Sequence, residues 1–262
     1  EVQDYDKVIT YADKVIKTTG VELEDSYETL WGYDETTKDC LKRNTKEGIL
    51  EVHWTTGGGN WETWMYGRQL DNWDYYFTWA KWITPSRDII NDFEKEGDEI
   101  RKNQAIVYYA CTWSNYYPAS NYPFMYKLRS SYSNIYWIRL ADIILMKAEA
   151  EAYKGNLDES AKLVNQIRKR AKLKELTSDK TNSKEAMIEA VLHERRLELA
   201  FEGERWFDLC RNNKVEKYLN GIDNRDKGRI KQVKLFDSNS YLLPIPQTAL
   251  DQNTNLVQNP GY

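Results

Sequence analysis

The hydrophobic positions in the second half of the chain repeat at the spacing of amphipathic helices. One apolar stripe, with steps of three and four residues, consists of Leu157, Ala161, Val164, Ile167 and Ala171. The segment before it, residues 134–155, predicts one long helix that ends at Gly155. Asn156 stands three residues before Glu159, which is the spacing of a helix-capping box. Two helices joined by this tight turn predict an αα-hairpin of the tetratricopeptide type.

Other segments give weaker but readable patterns. A first helix with an apolar face stops near Gly20. Alternating residues from Gly48 to Trp54 predict a strand. The remaining expectations are a short helix capped by Ser86 and running through Phe93, a strand-like piece over 105–113, a loop over 115–134, helices after Ser183 with a break near Gly203, and a non-helical C-terminal tail over 241–262.

The segment from His53 to Trp82 keeps neither the helical nor the strand period, although it holds six of the ten tryptophans. Glycines and polar residues separate its rings, which predicts an irregular binding loop. Flat aromatic faces beside amides and carboxylates suit a sugar ring, whose C–H bonds lie on the ring face. The candidate ligand-binding residues are Trp54, Trp61, Trp64, Tyr66 and Trp73, whereas Trp79 and Trp82 are assigned to packing. A protein–protein contact is the next interpretation, because tryptophan and tyrosine are also typical of interface hot spots.

Composition narrows the function classes. The net charge of −4 gives no reason to expect nucleic acid as a partner. Three widely spaced cysteines form neither a disulfide framework nor a zinc site, and no apolar run has transmembrane length. The motif HERRL lacks the second histidine of a zinc protease, because Leu197 stands in its place. No nucleophile–base arrangement is present, so we expect no enzyme, no metal and no cofactor.

A dense set of charges follows the hairpin. Spacings of three and four residues bring acids and arginines together on helices rich in apolar residues, which predicts an internal ion-pair network in preference to catalytic carboxylates. The members of this predicted set are Glu194, Arg195, Glu198, Glu202, Arg205 and Asp208.

Four stretches of the second half, in this order, resemble the SusD/RagB family, the outer-membrane nutrient-binding lipoproteins of Bacteroidetes. They are YWIRLADIILMKAEA, LVNQIRKRAKL, EAVLHERRLELAFEGERWFDLCR and YLLPIPQTALDQNTNLVQNPGY. The resemblance is strong from about Asn134 to Tyr262, and KEGILEVHW is a weaker match upstream. It implies a mainly α, tetratricopeptide-like repeat scaffold with long irregular loops and a few short strands. The chain, 1–262, would be the C-terminal region of one RagB/SusD domain.

The resemblance also implies partners and a location. The whole protein would be a surface-exposed lipoprotein of the cell outer membrane, whose lipidated cysteine and first helical repeats lie upstream of Glu1. It would capture polysaccharides or oligosaccharides for import with a SusC-like TonB-dependent transporter. Two alternatives stay open: a peptide ligand, or a scaffold half whose aromatic residues mainly pack against the transporter or the upstream half.

Overall fold

The computed structural model describes residues 3–34, 36–37, 39–54, 83–112, 114–129 and 133–262. The chain divides into two compact units, the first ending at Glu204 and the second beginning at Arg205. The sequence-based expectation of one domain over 1–262 stays a prediction.

Helices dominate the described part of the first unit, as the sequence predicts. Their bounds are α1 Tyr5–Ile16, α2 Tyr27–Trp31, α3 Arg87–Glu96, α4 Glu99–Ala105, α5 Leu140–Lys154, α6 Leu157–Arg170, α7 Ser178–Thr181 and α8 Lys184–Glu198. The N-caps follow the expected chemistry, because the Ser86 and Ser183 side chains accept from backbone N–H groups in the first turns of α3 and α8. Within the described ranges, every helix is too short or too polar to qualify as a transmembrane segment.

The main core lies around the predicted αα-hairpin. Helices α5 and α6 pack on each other, and α1 and α8 pack on α5. The turn between the hairpin helices uses Gly155 at a φ of +86°, a backbone conformation that favours glycine. The two helices are also joined by a 2.7 Å hydrogen bond from Ser160 Oγ to the Ala148 carbonyl. Fully buried members of this core include Ile144, Leu145, Val164, Ile167, Met187, Val191 and Leu192.

Two details of the hairpin differ from the sequence-based expectation. Helix α5 begins at Leu140 and not near Asn134, because Ile135–Arg139 forms a strand instead. The Asn156 side chain does not cap α6; its amide donates to Glu151 Oε2 over 2.7 Å. The turn is therefore held by the glycine conformation and by backbone bonds from residues 155 and 156, without a capping box.

Short antiparallel strand pairs flank the helices. They are β1 Tyr33–Asp34 with β2 Asp39–Cys40, β3 Gly48–Val52 with β6 Ile135–Arg139, and β4 Ile106–Tyr109 with β5 Tyr122–Met125. The predicted strand at 48–54 is confirmed as β3, and its partner β6 holds Glu51 opposite Tyr136. Strand β5 lies within the region that the sequence predicts to be a loop. Its four residues are buried, and two of them, Tyr122 and Phe124, form a small core with Cys111.

The second unit consists of short elements. Helices α9 Arg205–Arg211, α10 Val215–Leu219, α11 Ile222–Arg225 and α12 Gln247–Gln252 are accompanied by a 3₁₀ turn at Ser238–Tyr241. The tail therefore contains one helix, whereas the sequence predicts none. Its segment around the two prolines is extended and is tied by side chains of the same tail: Gln258 bonds to both backbone groups of Ile245, and Asn259 bonds to the Leu243 carbonyl.

Candidate ligand-binding surface

Trp54 is the one predicted ligand-binding residue that lies within the described ranges. It stands two residues after β3 and is half-buried. Its indole Nε1 is buried without a hydrogen-bond partner in the described structure, although buried indole N–H groups usually find an acceptor. Trp61, Trp64, Tyr66 and Trp73 lie outside the described residues. The first candidate residue, Trp54, therefore lies just after the end of β3.

The start of β3 is held in place by a folded-back carboxylate. Glu51 accepts from the Thr45 N–H and from Thr45 Oγ1, both over 3.0 Å, and from the Asn134 amide over 3.2 Å. The His53 ring is 2.9 Å away from the same carboxylate. Gly48 makes this arrangement possible, because a Cβ at that position would lie 1.9 Å from Glu51 Oε1. The strand that leads into the aromatic segment thus begins at a tightly bonded turn.

A buried ion-pair network lies next to this strand. Arg139, the last residue of β6, donates to Glu47 over 2.7 Å, to Glu198 over 2.6 Å and to Glu202 over 2.7 Å. Arg101 in α4 donates to Glu194 over 2.7 Å and to Glu198 over 3.1 Å. The network also includes Asp98, Lys127, Arg168 and Arg170. It connects the residue before β3 with helices α4, α6 and α8 and with the end of β6.

The electrostatics of this network suit a structural role. Burial alone would raise the pKa of Glu198, but the positive charges of Arg170, Arg139 and Arg101 outweigh it and hold that pKa well below its usual 4.5. The pKa of Glu202 is lowered against its burial by Arg139 and Lys127. Carboxylates that stay ionised between arginines are poor proton donors at neutral pH. The structure thus supports the structural interpretation for Glu198 and Glu202, and it buries Glu194 between Arg101 and Arg168.

The predicted set of charges is divided between the two units. Arg195 pairs with Asp142 in the first unit over 2.8 Å. Arg205 and Asp208 belong to the second unit, where the Arg205 guanidinium lies 4.8 Å from the centre of the Tyr218 ring and Asp208 pairs with Arg211. The sequence reasoning missed the partners from distant segments, which are Glu47, Asp98, Arg101, Arg139, Arg168 and Arg170.

An open cleft lies at the loop between β4 and β5. Its volume is about 980 Å³, and it is lined by Arg87, Thr112, Ser114, Asn115, Tyr116, Tyr117, Pro118 and Ala119. We call it the Tyr116 cleft. No residue of this cleft belongs to the predicted site, although the Ser-Asn-Tyr run that occurs twice at 114–122 resembles the composition of antibody binding loops. Among the described residues, no three His, Cys, Asp or Glu side chains are grouped in a way that could hold a metal ion.

Aromatic stacking and hydrogen bonds fix the shape of the Tyr116 cleft. The guanidinium carbon of Arg87 lies 4.5 Å from the centre of the Tyr116 ring and 4.1 Å from that of Tyr117, and the guanidinium donates to the Tyr116 carbonyl. The two rings meet edge to face with centroids 4.8 Å apart. The Tyr117 hydroxyl donates to the Pro85 carbonyl over 2.7 Å. The loop is thereby fastened to the start of α3.

Comparison with known proteins identifies the family. The model of the SusD family matches residues 112–262. The chain belongs to the SusD family. The SusD-like protein P38 of Formosa agariphila is 39% identical over 136 residues, which are 50% of this chain and 25% of that protein. The chain therefore spans much less than the full length of the relatives that it matches.

Solved structures of other proteins have the same fold as this SusD-family chain. A laminarin-binding SusD-like protein superposes with a TM-score of 0.72 at 23% identity, covering 99% of this chain and 59% of the other. The surface glycan-binding protein A of Bacteroides thetaiotaomicron superposes with a TM-score of 0.69 at 19% identity, covering 98% of this chain and 59% of the other. The predicted SusD-type helical scaffold is thereby confirmed.

Proposed function

We propose that this chain is part of a non-enzymatic, surface-exposed lipoprotein of the outer membrane that captures polysaccharides or oligosaccharides. The captured glycan would pass to a SusC-like TonB-dependent transporter, and the lipid anchor would lie outside the chain. Membership of the SusD family supports the proposal, and so do two fold neighbours that are named for laminarin binding and for surface glycan binding. The proposed function involves neither a cofactor nor nucleic acid.

The observation that carries the proposal is the position of Trp54, the first of the candidate residues. Its first member, Trp54, follows a strand whose start is tied by the Glu51 carboxylate and whose neighbour β6 ends in the buried ion-pair network. Binding loops are commonly placed on rigid scaffolds of this kind. We propose Trp54, Trp61, Trp64, Tyr66 and Trp73 as the residues among which at least one stacks on a sugar ring.

A protein-interface function is the second candidate, and one observation favours it. The β3–β6 pair carries four exposed large apolar side chains, which are Trp137 at 65%, Leu50 at 48%, Ile49 and Ile138. Exposed tryptophan and other large apolar residues are typical of protein contacts. These strands would suit a contact with the transporter or with the remainder of the protein.

Calorimetry of the full-length protein separates the two candidates. We expect that laminarin or another soluble polysaccharide binds the wild type, and that at least one of Trp61→Ala, Trp64→Ala and Trp73→Ala weakens binding about tenfold at an unchanged melting temperature. Trp137→Ala is the matched control, because it removes an exposed tryptophan outside the proposed site. Wild-type binding by all three variants, at wild-type stability, would show that these three rings do not form the site. Unfolding of all three would favour the packing interpretation.

A further inference from the structure

The Tyr116 cleft is built as a rigid site. The Cys111 N–H donates to the Ala119 carbonyl over 2.7 Å and closes the loop at its base. The Tyr122 hydroxyl contacts Thr84 Oγ1 over 3.0 Å and Ser114 Oγ over 3.2 Å, so the inner side of the loop is bonded as well. Below it, Cys111, Tyr122 and Phe124 form a buried cluster. A loop held in this way needs little ordering when a ligand binds.

The chemistry at the cleft matches that of a sugar. Asn115 is exposed, and its side-chain amide forms no hydrogen bond in the part of the chain that the structure describes. It can therefore offer both a donor and an acceptor to a pair of hydroxyls. The half-buried rings of Tyr116 and Tyr117 supply the aromatic surface against which the C–H face of a sugar packs. Among the lining residues that the structure describes, none has a large aliphatic side chain of the kind that would anchor an apolar peptide residue.

The size and position of the cleft fit an extended ligand. A volume of about 980 Å³ is at the upper end of the range of roughly 300–1,000 Å³ that is common for ligand sites. The cleft also lies beside the residues that follow the aromatic segment in the chain. Thr84 contacts the Tyr122 hydroxyl, and the Pro85 carbonyl accepts from the Tyr117 hydroxyl. A polysaccharide that contacts the cleft and the aromatic segment at the same time binds more tightly than one that reaches only one of them.

We propose that the Tyr116 cleft binds a glycosyl unit of the captured polysaccharide, as a contact additional to the aromatic segment. The Asn115 amide bonds two hydroxyls of the sugar, and the Tyr116 and Tyr117 rings pack on its face. Arg87 serves to hold the two rings in place. This inference rests on the proposed glycan-binding function and adds to it a second site with its own residues.

Affinity electrophoresis of the full-length protein in gels that contain laminarin, pullulan, xylan or pectin tests the proposal. We expect Asn115→Ala to weaken retention by about threefold to tenfold on at least one polysaccharide, because one bidentate contact is lost. Asn121→Ala is the matched control: it changes an exposed asparagine of the same loop that does not line the cleft, and retention should stay at the wild-type value. Both variants should melt at the wild-type temperature.

Two other outcomes would overturn the inference, and they are distinguishable. In the first, the gel retains Asn115→Ala and Tyr116→Ala as strongly as the wild type, while substitutions in the aromatic segment abolish retention. This result would reject the Tyr116 cleft as a glycan site and leave the proposed function intact. A wild-type protein that none of the four polysaccharides retards would reject both the cleft and the proposed glycan binding. If Tyr116→Ala fails to fold, the exposed Asn115 variant decides the question alone.

Discussion

At the scale of single residues, Arg139 joins three carboxylates of the buried ion-pair network. Its side chain is 1% exposed and donates to Glu47, before β3, and to Glu198 and Glu202, at and just after the end of α8. A buried arginine of this kind adds little net stability compared with apolar packing, but its removal leaves each of three buried carboxylates with one positive partner fewer. The cost of a substitution therefore comes from the uncompensated acids.

We expect Arg139→Met to lower the free energy of unfolding by roughly 3–5 kcal/mol, the usual cost of breaking a buried pair. Urea denaturation at neutral pH measures the effect. The control is Lys162→Ala, which removes an exposed lysine from its pair with Glu159 and should leave the midpoint unchanged. Equal midpoints for wild type and Arg139→Met would show that the network is dispensable for folding.

Residue-scale reasoning from the sequence found only part of this network. The spacing of Glu194, Glu198 and Glu202 on successive helical turns showed that acids and arginines would be neighbours within one segment. Arg101, Arg139 and Glu47 come from segments whose contact depends on the folded chain, and no local pattern connects them. Burial of the predicted acids was foreseeable, whereas the identity of most of their partners was not.

At the scale of elements, the helical hairpin was predictable and the strand β6 was not. The apolar stripe of α6 and the glycine at position 155 specify a helix and its end through local geometry alone. The apolar run of residues 135–146 is compatible with either a helix or a buried strand. Pairing with β3, which is distant in sequence, decides that its first five residues form a strand.

The candidate site shows the same division between local and distant information. The sequence placed an aromatic segment after β3, and the structure locates its first tryptophan there. The Tyr116 cleft escaped notice because it needs Arg87 from the start of α3 beside a loop that closes through Cys111 and Ala119. The Ser-Asn-Tyr composition of that loop was visible, but its concave shape follows from long-range contacts.

The turn before β3 gives a test at the same scale. Gly48→Ala would place a methyl group against the Glu51 carboxylate, which several hydrogen bonds hold in position. We expect a loss of about 1–3 kcal/mol, the usual cost of overpacking. Amide hydrogen exchange should also become faster in β3 and β6 than elsewhere. Ile49→Ala, at a more exposed position of the same strand, is the control, and equal protection in both variants would argue against a rigid base for the aromatic segment.

At the scale of the whole molecule, the buried acids predict how stability depends on pH. Glu198 and Glu202 have pKa values below the usual 4.5. The pKa of Glu96 is lowered to about 2, mainly by a hydrogen bond to His193 and then by the hydrogen bond and charge of Arg168. A carboxyl whose pKa is lower in the folded state than in the unfolded state contributes stability above its unfolded pKa and loses it as the pH falls. Asp98 opposes this trend, because burial raises its pKa.

We therefore expect the urea midpoint to be nearly constant from about pH 7 to about pH 5 and to fall steeply between about pH 4.5 and about pH 2. Glu198→Gln should be less stable than wild type at neutral pH, yet its stability should change less over the acid range, since one titrating group is absent. Parallel pH profiles for the two proteins would mean that Glu198 does not take part in acid unfolding.

The charge of the whole chain also predicts how glycan binding responds to solution conditions. The chain carries a formal net charge of −4, and the proposed contacts are aromatic rings, hydroxyls and one amide. Stacking and neutral hydrogen bonds are barely screened by salt, whereas attraction between exposed charges decays within about 10 Å at 0.1 M salt.

We expect the affinity of the full-length protein for its polysaccharide to change less than about twofold between about 0.05 and 1 M sodium chloride. It should also be the same with and without a chelator, because no metal takes part in the proposed contacts. A steep loss of affinity in salt would point to recognition of an acidic glycan by arginine or lysine, and a loss with chelator would place a metal ion in the site.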